Sequence, residues 1–89
     1  MKFKKGVKVR FIDLPRNDFT DYEADLLSNI ADGTITGKAF DVAMAALERK
    51  KDMVVKAVHD GDDFDHGVEA SVGRTPMPWI IQFEHLELV

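Results

Sequence analysis

The chain contains no cysteine. That excludes thiolate metal sites, thiol catalysis and a disulfide framework. Small secreted domains usually staple themselves with disulfides, so the expected setting is a reducing one. Long apolar runs are missing too: no stretch approaches the roughly 18 consecutive apolar residues of a membrane span, and no membrane association is expected. The opening Lys2-Phe3-Lys4-Lys5-Gly6 is basic but leads into alternating residues rather than an apolar core, so a cleavable leader is not expected and the cytoplasm is the expected location. There is no G-x-S-x-G nucleophile elbow. Gly33 and Gly37 lack the spacing and the following Lys-Ser/Thr of a phosphate-binding loop and read as helix punctuation. These absences point to a non-enzymatic protein without a catalytic residue or cofactor.

What is present fits one folded domain over residues 1–89. A chain this short buries only somewhat over ~60% of the surface its unfolded form exposes, so modest stability is expected. An apolar fraction of 45% beside a charged fraction of 31% argues against global disorder. The net charge is −4, but the charges are segregated. Lys2, Lys4, Lys5, Lys8, Arg10 and Arg16 crowd the first sixteen residues, and Asp60, Asp62, Asp63, Asp65 and Glu69 crowd one later stretch. Clustered charge of one sign is either plain solvated surface or a means of steering a partner.

Val7, Val9 and Phe11 alternate with Lys8 and Arg10, the period-two pattern of a half-buried strand with its cations on the wet face. Pro15-Arg16-Asn17-Asp18 breaks it. Thr20 and Glu23 match a capping box, and Tyr22, Leu26, Leu27 and Ile30 follow at helical spacing, which predicts a helix over about 20–31 that stops at Gly33. Phe40, Ala43, Met44 and Leu47 predict a second helix over about 38–50. Together they make a helical hairpin inserted over about 18–51. Met53–Val58 and Phe64–Val72 read as strands around a turn at His59–Asp63, with a bulge at Gly67. A loop over 73–78, a strand over Trp79–Phe83, a short turn at Glu84-His85 and a last strand over 86–89 complete the chain. The predicted core is Val7, Val9, Phe11, Leu26, Ile30, Phe40, Leu47, Val55, Val58, Val68, Trp79, Ile81 and Leu88.

Lys5-Gly6-Val7-Lys8-Val9-Arg10-Phe11, the hairpin about Asp60-Gly61, and the ending from Trp79 to Val89 resemble the strands of SH3-like small barrels. In that fold a single helical turn often splits the last two strands. The resemblance covers about two-thirds of the chain and implies an α+β protein: a small, partly open antiparallel barrel carrying the helical hairpin between its first two strands. The departure from the pattern is the helical hairpin itself. SH3-like barrels host many functions. In size and acidity the chain is also similar to small phage-encoded proteins.

The stretch His59-Asp60-Gly61-Asp62-Asp63-Phe64-Asp65-His66 concentrates carboxylates and imidazoles. A calcium loop starting at Asp60 fails at Phe64, at Asp65 where glycine belongs, and at Ser71 where glutamate belongs. His59 and His66 lack a third zinc ligand at any telling spacing, so no metal is expected. The plain account is a polar turn, and the functional one an acidic knob meeting a basic patch. His59, His66 and His85 read as surface histidines rather than bases. Trp79, after Pro76-Met77-Pro78, either packs the barrel or anchors a contact with Met77 beside it, since Trp and Met are enriched at interface cores.

The expected function is therefore a protein-binding module, of the kind that phages use as inhibitors or adaptors of a host complex. Its contact candidates are Trp79, Met77, Asp60, Asp62, Asp63 and Asp65. Two alternatives stand beside it. One is a nucleic-acid-associated factor using Lys4, Lys8 and Arg10, since phosphate contacts dominate such affinity. The other is a structural subunit of a homo-oligomer or virion.

Overall fold

The computed structural model describes residues 2–60 and 66–89. The element order is β1 (Lys8–Phe11), α1 (Arg16–Ala31), α2 (Gly37–Arg49), β2 (Met53–Asp60), β3 (His66–Val72), β4 (Thr75–Pro76), β5 (Ile81–Gln82), a one-turn 3₁₀ helix (Phe83–His85) and β6 (Leu86–Leu88). The protein is α+β; among the described residues it has two helices and a six-stranded antiparallel open sheet. The strands run in the order β4-β3-β2-β1-β6, and β5 also pairs with β3. Both helices lie between β1 and β2 in the chain, as the pattern predicts. Among the described residues no helix is long and apolar enough to cross a membrane.

Helix α1 starts a turn earlier than its sequence pattern suggests. The Pro15 carbonyl accepts from the Phe19 N–H at 3.0 Å, and Arg16, Asn17 and Asp18 are helical. The capping box at Thr20 and Glu23 is not used, because Thr20 already lies inside the helix. Proline pre-sets the extended entry, and Phe19 packs against the core, so tertiary anchoring overrides the local signal. The stop at Gly33 is as expected: its φ is +79°, and the Thr34 N–H closes on the Asn29 carbonyl at 2.9 Å.

Helix α2 begins at Thr36, whose hydroxyl accepts from the Ala39 N–H at 3.1 Å. This is the only described helix start capped by its own side chain. Thr36→Ala should therefore lower stability by about 1 kcal/mol. A urea midpoint equal to that of the wild-type protein would show that the cap contributes nothing.

The β2–β3 hairpin corrects two expectations. His59 and Asp60 belong to the ladder, pairing with Gly67 and His66, rather than to the turn. The register shift lies between Val55 and Ala57, at Lys56, not at Gly67. Gly67 instead lies between two strands, opposite His59 on one side and Gln82 on the other. The expected strand at Trp79–Phe83 shrinks to Ile81–Gln82, and Thr75–Pro76 forms an unpredicted two-residue strand at the sheet edge, where proline is tolerated.

The core centres on Val9, Phe11, Leu26, Leu47, Met53, Val55, Val68 and Ile81, over which the helices close. Along β1 the alternation holds: Val9 and Phe11 are buried, Lys8 and Arg10 exposed. Val7, Phe40, Val58 and Trp79 are half-buried at its margin, and Ile30 is half-buried too. Leu88 is 43% exposed, against expectation, because it sits at the end of the edge strand β6. Phe3, Tyr22, Met77 and Leu86 take interior places the pattern did not assign to them.

Candidate functional site

Helix α1 puts Asp18, Asp21, Tyr22 and Asp25 at spacings of three and four, so they share one face. That face looks across a cleft of about 580 Å³ toward the segment from Trp79 to His85. Glu84 and His85 of the 3₁₀ turn join the lining, with Ile12 and Pro15 at the β1–α1 junction. Among the described residues, the cleft is thus bordered by four carboxylates and by no lysine or arginine.

Tyr22 holds the two walls together. Its ring stacks on Trp79 at 5.4 Å and 20°, meets Phe11 edge-on at 5.5 Å, and meets His85 edge-on at 5.4 Å. Its hydroxyl lies 2.7 Å from Nδ1 of His85. Burial pushes the phenol up to about 12; the carboxylates of Asp18, Glu84 and Asp25 add to that rise, while a hydrogen bond from the Gln82 backbone opposes it. The hydroxyl therefore keeps its proton; with the ring hydrogen of neutral His85 on Nε2, it donates to Nδ1. Nε2 faces Asp18, with Oδ2 at 3.5 Å, too far for a good hydrogen bond. A phenol held protonated in this way is a donor, not a nucleophile. Among the described residues, no cluster of histidine and carboxylate side chains is arranged to hold a metal ion.

Among the described residues, Trp79 is the one contact candidate from the sequence that reaches this cleft. Its indole Nε1 is buried without an acceptor, the one such side-chain atom among the described residues. Met77 is 8% exposed and packs in the protein's own core rather than at its surface. Asp60 is exposed at the far end of β2; Asp62, Asp63 and Asp65 lie outside the described residues. Lys4, Lys8 and Arg10 are all exposed, but Nε of Arg10 is tied to Glu87 at 2.9 Å, which weakens β1 as a phosphate-binding strip. The histidines go three ways. His59 pairs with Glu69 at 2.9 Å, His66 is exposed at the start of β3, and His85 enters the cleft.

Sequence reasoning missed Asp18, Asp21, Tyr22, Asp25, Glu84 and His85 as a group. The spacing of the α1 residues was the available signal, but acids near a helix N-terminus also have a plain explanation in the helix dipole. The meeting of α1 with Glu84 and His85, some sixty residues away, left no mark in the sequence. No family model matches the chain, and neither the curated proteins nor the solved structures include one that is significantly similar.

Proposed function

We propose that this chain is a non-enzymatic protein-binding module of the inhibitor or adaptor kind. It seats a cationic side chain of its partner, arginine or lysine, in the cleft between α1 and the 3₁₀ turn. The observation that carries this reading is the convergence of Asp18, Asp21, Asp25 and Glu84 on one hollow that, among the described residues, no lysine or arginine lines. Carboxylates beside low-dielectric aromatic walls concentrate the field for a guest cation, and arginine adds planar stacking and a fork of donors.

The strand arrangement supports an SH3-like frame for this module. The first strand lies between the second and the last, and one helical turn precedes the last. The helical insertion then supplies α1, one wall of the cleft.

A capped glycine-serine pentapeptide with a single central arginine tests the reading. Trp79 is the only tryptophan, so its fluorescence reports the cleft directly. The peptide should bind at pH 8 and low salt, and Asp18→Asn with Asp25→Asn should weaken it about tenfold, while Asp60→Asn leaves it unchanged. Equal binding by the double variant, or the absence of binding, would overturn the site.

A further inference from the structure

The imidazole of His85 sits where a proton can compete with a guest. Its Nδ1 lies 2.7 Å from the Tyr22 hydroxyl. Its Nε2 remains directed at the cleft, 3.5 Å from Asp18 Oδ2. The His85 side chain is only 13% exposed and the Asp18 side chain 38%, so Asp18 is the member of the pair that a guest can reach. Charged and titratable groups line the cleft around the imidazole from two elements. Helix α1 contributes Asp18, Asp21, Tyr22 and Asp25, and the 3₁₀ turn contributes Glu84. The remaining lining, Ile12, Pro15, Trp79, Ile80 and Gln82, is uncharged.

From this geometry we infer that His85 gates the cleft by protonation: the neutral ring leaves Asp18 free for a guest cation, and the imidazolium occupies Asp18 in the guest's place. The inference rests on the cationic-guest reading and adds the regulation of that site. The added proton enters at Nδ1, which turns from acceptor to donor toward the Tyr22 oxygen as the phenol hydrogen rotates away; the ring's charge is shared with Nε2–H, and a small motion of the Asp18 side chain turns the 3.5 Å separation into an ion pair. The proton and the guest then exclude each other, so affinity is high at raised pH and falls as His85 takes up its proton. Linkage makes the effect reciprocal: a bound guest makes His85 harder to protonate.

The arginine pentapeptide, followed by ¹⁵N NMR on the whole chain at pH 8 and pH 5.5, tests this. The wild-type protein should lose about fivefold in affinity between the two. His85→Gln keeps an acceptor for Tyr22 and an N–H for Asp18 but cannot gain a charge, and it should bind alike at both. A second readout needs no variant: the His85 ring titration should move to lower pH, by the logarithm of the same factor, when the peptide is saturating. Binding at pH 8 with no wild-type loss at pH 5.5, an equal loss in His85→Gln, or an unmoved ring titration overturns the gate and leaves the cationic-guest reading standing. No binding at pH 8 overturns both.

Discussion

Replacing Gly67 by alanine is expected to destabilise the protein by about 3 kcal/mol or more, which in a chain of this size lowers Tm by about 15 °C. A Cβ at this position would lie 2.1 Å from the carbonyl oxygen of Ile81, 2.7 Å from its carbonyl carbon and 2.8 Å from Cγ2 of Ile80. Two of these atoms are backbone and cannot swing aside. The alternatives are to break the Gly67–Gln82 and Val68–Ile81 pairing or to push β5 away from β3. Because β5 leads directly into Glu84 and His85, the same substitution should also weaken the peptide binding proposed for the cleft. Thermal unfolding followed by circular dichroism decides it. A variant within about 1 kcal/mol of the wild-type protein would mean that β5 does not lie against Gly67.

Tyr22 is the second sensitive position, and its hydroxyl and ring can be separated. Tyr22→Phe keeps the stacking on Trp79 but leaves Nδ1 of His85 without its donor, for a loss of about 1–2 kcal/mol. Tyr22→Ala also removes the ring between Phe11, Trp79 and His85, and should lose about 3–5 kcal/mol. The hydroxyl carries a pH signature as well. The phenol titrates near 10 when unfolded and at about 12 in the fold, chiefly because it is buried. The folded state therefore holds its proton longer. Its contribution to stability is intact below pH 10 and is lost as pH rises from 10 toward 12, by about 2–3 kcal/mol in all. Tyr22→Phe should lack that slope. Since Tyr22 is the only tyrosine, phenolate absorbance reads its titration without interference. A midpoint near 10 in the folded protein would contradict the buried, hydrogen-bonded phenol.

Both positions show how local patterns and tertiary context divide the work. The alternation Val7-Lys8-Val9-Arg10-Phe11 placed β1 and sorted its faces correctly, because a strand's period of two depends on nothing beyond the strand. The helical spacing through Leu26 and Leu47, with Gly33 as a stop, placed both helices within a few residues. The early start of α1 escaped because a capping box is only a local preference, and Pro15 with the packed Phe19 prevailed over it. Gly67 was noticed as unusual, but its reason was not legible: the clash partner, Ile81, belongs to a strand that reaches Gly67 only after folding. The cleft is the clearest case of this kind. Asp18, Asp21, Tyr22 and Asp25 are regularly spaced, yet a helix shows such a face whether or not anything lies opposite.

The sequence by itself determined the class of the protein. It specified an α+β chain with two helices between its first two strands, an alternating first strand, and no thiol chemistry. Composition and short-range periodicity are enough for those statements. The tertiary structure alone decided which distant side chains meet. It moved Met77 into the core, tied Arg10 to Glu87, and drew His85 against Tyr22 and Asp18 across a separation of more than sixty residues. The reason is physical: propensity and periodicity act over one or two turns of chain, whereas a cleft is made by elements that meet only when the whole sheet has formed.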